Sequence, residues 1–154
     1  MAYQKLQASR ALAVIKSDDV DIPNPSMLVA DSVSTLTVGN KLVDSTQDFI
    51  AAGVKAGDIV YSGTTAVTVK AVDSATQLDT APVTIASGDT YQLYSQNAPN
   101  NGCVLYVGTG GALEVITAAG DTVTFANIAD GTFLPVQTLR VLASGPTANI
   151  IALW

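Results

Sequence analysis

"SQNAPNNGCVLYVG", residues 95–108, passes from a polar segment rich in asparagine and proline straight into an apolar strand. "DIPNPSMLVADS", residues 21–32, makes a similar break near the other end of the chain. If these are two ordinary linkers, the chain is a row of consecutive pieces. If they are the two sides of one insertion, residues 1–26 and 100–154 form a discontinuous domain and residues 27–99 are a second module set into it. Insertions of that kind are tolerated where the two chain ends lie close together at an exposed turn.

Outward from the second break, "CVLYVGTGGALEVITAAGDTVTFANIADGTFLPVQTLRVLAS" (103–144) predicts strands near 103–107, 111–117, 121–126 and 134–143, separated by glycine-containing turns. "NIIALW" then closes the chain. Consecutive hairpins of this kind predict a meander or small sandwich, with Pro135 at an edge, a bulge or a strand start because it has no donor for a ladder. Between the breaks, strands are expected near 34–38, 58–62, 65–72, 76–79 and 90–94. Ala66, Thr68 and Lys70 alternate with Val67, Val69 and Ala71, as in a strand with one wet face. A Ser62-Gly63 turn would make a hairpin with "GDIVYSG". One short helical turn is expected near 46–52, capped by Ser45 or Thr46, with Phe49 and Ile50 pointing inward and a left-handed Gly53 at its end. The fold class is therefore all-β, made of small antiparallel β-sandwich or barrel pieces.

Composition narrows the function. The 154 residues are 48% hydrophobic and only 13% charged, with a net charge of −6 from 13 acids and 7 bases. Such a thin charged coat favours a subunit that hides surface against partners. No basic run exists to neutralise a phosphate backbone, so nucleic acid is not an expected partner. No apolar run approaches the roughly 20 residues of a membrane helix, and Lys5, Arg10 and Lys16 interrupt the place of a signal-peptide core, so neither membrane nor export signal is expected. Cys103 is the single cysteine and rules out an internal disulfide.

Catalytic chemistry finds little to work with. The absence of histidine removes the commonest general base and metal ligand. Glu114 is the one glutamate, and most aspartates stand beside Gly, Ser or Thr in turn contexts, so paired-carboxylate glycoside chemistry is an outside alternative. Asp18, Asp19 and Asp21 alternate in a way that can ligate calcium, but the glycine and distal glutamate of the helix–loop–helix calcium motif are missing, and a solvated turn is the better reading. Gly108, Gly110 and Gly111 lack the spacing and following lysine of a phosphate loop and read as a tight hairpin. Cys103 reads as a buried small hydrophobe. No cofactor or metal is called for, and no enzyme is expected.

The C-terminal stretch closely resembles small head-spike base proteins of tailed phages and gene transfer agents. The likeness runs through Tyr106–Gly111, Gly120–Phe125, Gly131–Val136, Arg140–Gly145 and Ile150–Trp154, and "ALAVIKSDDVDIPNP" is similar to the opening of that family. In the family the opening leads almost at once into the Tyr-Val-Gly strand; here residues 27–99 intervene and are similar to small barrels found as building blocks of phage structural proteins. The resemblance thus implies a small antiparallel β-sandwich or barrel built from both termini (1–26 and 100–154), with an inserted small β-barrel module (27–99). The resemblance implies a non-enzymatic virion protein on the outer surface of the head, made in the host cytoplasm, as a capsid decoration or cement protein or a spike base. Its implied partners are the major capsid protein, further copies of itself as a trimer or pentamer, and a spike or fibre protein. A tail or baseplate protein is the alternative, as is a receptor-binding module reading through Tyr61, Tyr91 and Tyr94. The N-terminal arm, with Tyr3, Leu6 and Arg10, is expected to strap onto a neighbouring chain. Trp154 reads equally as a core plug or an anchor in a neighbour, and Arg140 as a salt-bridge partner for a neighbour or an outward charge.

Overall fold

The computed structural model of the chain describes residues 8–97 and 99–154. These residues are all-β, with no helix and three antiparallel sheets. In chain order the strands are β1 (Ala11–Ala13), β2 (Met27–Val33), β3 (Lys41–Val43), β4 (Ile59–Ser62), β5 (Thr65–Thr68), β6 (Ala71–Ser74), β7 (Gln77–Asp79) and β8 (Thr90–Tyr94). After them come β9 (Cys103–Thr109), β10 (Gly111–Thr117), β11 (Thr122–Ile128), β12 (Thr132–Val141) and β13 (Ala148–Leu153). The strands pack as two compact units, one from the residues up to Pro25 with Asn100–Trp154, the other Ser26–Pro99. Within the second unit, the Ser95 amide donates to the Ser26 carbonyl at 2.7 Å. Within the first, Asn100 Nδ2 donates to the Ile22 carbonyl at 3.0 Å.

The first unit is one sheet in the order β1-β13-β9-β12-β10-β11. In β9 the sequence alternates, burying Cys103, Leu105 and Val107 and leaving Val104 and Tyr106 half-buried on the other face. The first half of β12 pairs with β9 and the second half with β10, and the register shifts between Leu134 and Thr138, across Pro135. A residue without an N–H fits that bend, because the ladder is interrupted there in any case. Leu105, Val107, Leu113, Val115, Leu134, Val141, Ile150 and Ala152 share one core on its inner side.

The expected meander is corrected here. Among the described residues of this unit only β10 and β11 form a hairpin between consecutive strands; β9 pairs with β12 and β13, and not with β10. Gly110 is the single residue between β9 and β10, where the chain passes from one strand to the other without pairing them. A Cβ on it would lie 2.0 Å from the Ile128 carbonyl oxygen, so backbone meets backbone at this point. The Gly110 amide also donates to Asp130 Oδ1 at 2.7 Å, which fixes the corner.

The second unit closes a four-stranded sheet, β2-β8-β4-β5, and a three-stranded sheet, β3-β7-β6, around one core. Leu42, Phe49, Val60, Leu78 and Leu93 are fully buried in it, each side chain contributing about 2 kcal/mol of apolar burial. The β4–β5 hairpin turns on Gly63-Thr64, one residue later than expected, with Gly63 at φ 57 as the first central residue of a two-residue loop. Three further expectations need correction. The strand expected over 65–72 is two strands in different sheets, because Val69 donates to Asp58 and Lys70 to Asp79, so the chain changes partners between them. The strand expected at 34–38 is a single bridge between Leu36 and Val43, whereas β2 precedes it; Ser34 Oγ bonds the Val43 carbonyl at 3.0 Å, a side-chain contact that competes with a ladder. The turn at 49–53 is not a helix. Asp48, not Ser45 or Thr46, caps it through the Ala51 amide at 2.9 Å. Phe49 is buried but Ile50 is 63% exposed, and Gly53 is left-handed at φ 79.

Candidate functional site

The acidic stretch after β1 works as a clasp on the C-terminal half of its own unit. The Ser17 amide donates to the Val141 carbonyl and the Ile22 amide to the Leu139 carbonyl, at 2.9 and 2.7 Å. Ser17 Oγ accepts from the Asp19 and Val20 amides, a local turn built by the hydroxyl. Asp18 Oδ1 accepts from the Ala143 amide at 2.9 Å. Arg140 completes the clasp: its Nε reaches Asp21 Oδ1 at 2.7 Å and its Nη1 the Asp18 carbonyl at 2.7 Å. Arg140 is thus tied within its own chain, a role that the sequence did not expose because its partners lie about 120 positions away. Among the described residues no group of three ligand-type side chains is placed to hold a metal.

The other interface candidates fall at the β1 edge of the sheet. Arg10 and Trp154 are brought together by the β1–β13 pairing, with the Trp154 amide donating to the Arg10 carbonyl at 3.0 Å. The guanidinium of Arg10 is exposed and donates through Nη1 to the Pro25 carbonyl. Trp154 is half-buried against the core of its own unit. Tyr3 and Leu6 lie outside the described residues.

In the second unit the polar interior is organised by Asp44, which is fully buried. Its Oδ2 accepts from Ser32 Oγ and Tyr91 Oη, each at 2.7 Å, and its Oδ1 from the Thr46 amide and hydroxyl at 2.9 and 2.6 Å. Burial pushes this carboxyl up, but the hydrogen bonds from Thr46, Ser32 and Tyr91 outweigh it and hold the group below the ordinary carboxylate value. Burial, and then the bond to Asp44, push the Tyr91 hydroxyl well above its ordinary range. Asp58 is equally buried and accepts from the Lys55 and Gln96 amides. Both carboxylates serve as acceptors that hold loops to the barrel. Tyr61, Tyr91 and Tyr94 do not form an exposed reading face: they are 6%, 1% and 2% exposed. Aromatic rings on strands facing a small core are more useful as filling than as surface, and Tyr61 packs edge-on to Tyr94 at 5.7 Å.

A feature the sequence reading passed over is the outer face of the first unit's sheet. The registers align Ala13 with Ile151, Ile151 with Tyr106, and Tyr106 with Phe133, so these four side chains form one row across β1, β13, β9 and β12. Phe133 is 65% exposed and its ring lies 5.2 Å from that of Tyr106. The neighbouring row runs from Ala11 through Leu153 to Val104. The row is apolar, is centred on two aromatic rings and faces away from the core. The signal was present in "TFLPV", where Phe133 stands in the opposite phase to buried Leu134. Comparison with protein-family models, with curated proteins and with solved structures finds no match to this chain.

Proposed function

We propose that this chain is a non-enzymatic structural subunit of a phage virion that decorates the outer surface of the head, as a cement protein or spike base, and binds the major capsid protein. The observation that carries the proposal is the apolar row Ala13, Ile151, Tyr106 and Phe133 on the outer face of the sheet that both termini build. Its strands contain the elements, Tyr106–Gly111 through Ile150–Trp154, on which the resemblance to spike base proteins rests. A thinly charged chain with an aromatic-centred apolar face is suited to burying surface against a shell. If each copy buries a standard interface of about 1,600 Å², many copies sum to a large stabilisation of the head. The buried carboxylates Asp44 and Asp58 support the non-enzymatic part, since their oxygens are engaged in holding the fold.

The test is particle imaging with and without the chain, and with Phe133→Ser. Expected are density on the head that disappears on deletion, heads less resistant to heat and osmotic shock without the chain, and reduced occupancy for Phe133→Ser. Density on the tail, or equally resistant heads, sinks the proposal and leaves the tail or baseplate reading.

A further inference from the structure

β11 ends the six-stranded sheet and pairs only with β10, so its outer side carries no strand among the described residues. Its seven residues, Thr-Val-Thr-Phe-Ala-Asn-Ile, include no charge, proline or glycine. A bare edge of that length is a template for another strand, and sheets normally blunt their edges with brevity, charge, proline or bulges. The other edges here are blunted. β1, β3, β5 and β6 are only three or four residues long, and β2 carries Asp31 and two register shifts. In β11 the irregularity is confined to the end, at left-handed Asn127, while Thr122–Phe125 pairs with β10 without a break.

We propose that β11 pairs antiparallel with β11 of a second copy of this chain, about a two-fold axis at Thr124. The sequence is self-complementary in that register. Thr124 faces Thr124, Val123 faces Phe125 twice, and Thr122 faces Ala126. Threonine pairs and aromatic against β-branched pairs are favourable across strands. The half-buried Val123 and Phe125 lie on one face, and Phe125 packs on the core, so the apolar side continues from copy to copy. Two chains of net charge −6 repel, and this contact brings them together along an uncharged strand. An isologous contact closes at two copies, so a trimer or pentamer needs a separate, heterologous surface.

The inference adds a self-association to the proposed function, and it is tested on purified chain so that it can fail while head location stands, or stand while head location fails. Sedimentation equilibrium of the wild type is expected to show the mass rising from 15.8 kDa towards twice that value with concentration. Thr124 is exposed, so Thr124→Lys and Thr124→Glu are expected to keep the wild-type circular dichroism. Each alone is expected to associate at least about tenfold more weakly, because like charges meet on the axis, and an equimolar mixture of the two is expected to regain the dimer. Phe133→Ser, on a different surface, is expected to dimerise as the wild type does. In hydrogen exchange the amides of 122–126 gain protection as wild-type concentration rises, which decides the matter even if a variant misfolds. A wild type that stays monomeric without such protection, a Thr124→Lys dimer of undiminished strength, or loss of the dimer in Phe133→Ser overturns the proposal.

Discussion

Asp44 shows what one buried carboxylate does in a chain this poor in charge. Four donors from Ser32, Thr46 and Tyr91 converge on it, joining β2, the turn after β3, and β8. Asn in its place keeps the shape but sets an NH2 group against donors, so Asp44→Asn is expected to cost about 3 kcal/mol at neutral pH in urea unfolding. The pH dependence has a definite sign. Because the folded carboxyl titrates below its ordinary 3.8, its stabilisation is complete above the unfolded value and is lost as pH falls through the lower folded one. The stability gap between wild type and Asp44→Asn should therefore be constant from neutral pH down to about 5 and narrow below 4; a gap that widens in acid contradicts this assignment. Cys103 is the opposite case. It is 3% exposed, and burial pushes its thiol up to about 12. At pH 8 an alkylating reagent should leave it unmodified in the folded chain and label it in denaturant, and rapid labelling of native protein would show that β9 opens.

At the scale of elements, alternation was a good guide to strands and a poor guide to their partners. β10 and β8 coincide with the expected 111–117 and 90–94: the buried residues of β10 keep a period of two, as do Tyr91 and Leu93 of β8, and Gly111 and Gly88-Asp89 mark where the two strands start. Pairing is set by contacts between distant segments, which no local pattern encodes. For that reason "VGTGG" reads locally as a hairpin although β9 and β10 do not pair, and 65–72 reads as one strand although its halves belong to two sheets. The outer row of Tyr106 and Phe133 went unseen for the same cause: each residue alternates correctly in its own strand, but only the register of β9 with β12 sets one ring against the other. The corner at Gly110 gives the sharpest test. A methyl group there meets the Ile128 carbonyl carbon and oxygen, neither of which can swing aside. Gly110→Ala is expected to lower stability by at least about 2 kcal/mol. Gly120→Ala, with φ 91 but open space around it, should cost about 1–2 kcal/mol from backbone strain alone. Equal losses in denaturant unfolding would mean that the corner relaxes.

For the whole molecule, the weighty fact is that each unit owns a core. The first is built around Leu105, Leu113 and Val115, and the second around Leu42, Leu78 and Leu93, with no buried residue common to the two clusters. A unit with its own core can in principle fold alone. The chain also enters and leaves the second unit at one place, since Ser26 and Ser95 share a hydrogen bond and Ile22 and Asn100 share another. Replacing Ser26–Pro99 by a Gly/Ser turn of about four residues therefore asks the first unit to close only a short gap. That shortened chain is expected to keep a cooperative thermal transition and the protection of β9, β10 and β13 amides in hydrogen exchange. The excised Ser26–Pro99 is small for a lone domain, and its stability should be modest, about 5 kcal/mol, but its unfolding in urea should still be a single transition and should respond to Asp44→Asn as in the full chain. If the shortened chain is unfolded while the excised unit folds, the first unit depends on the second, and residues 26–99 are part of one folding unit instead of an insertion into it.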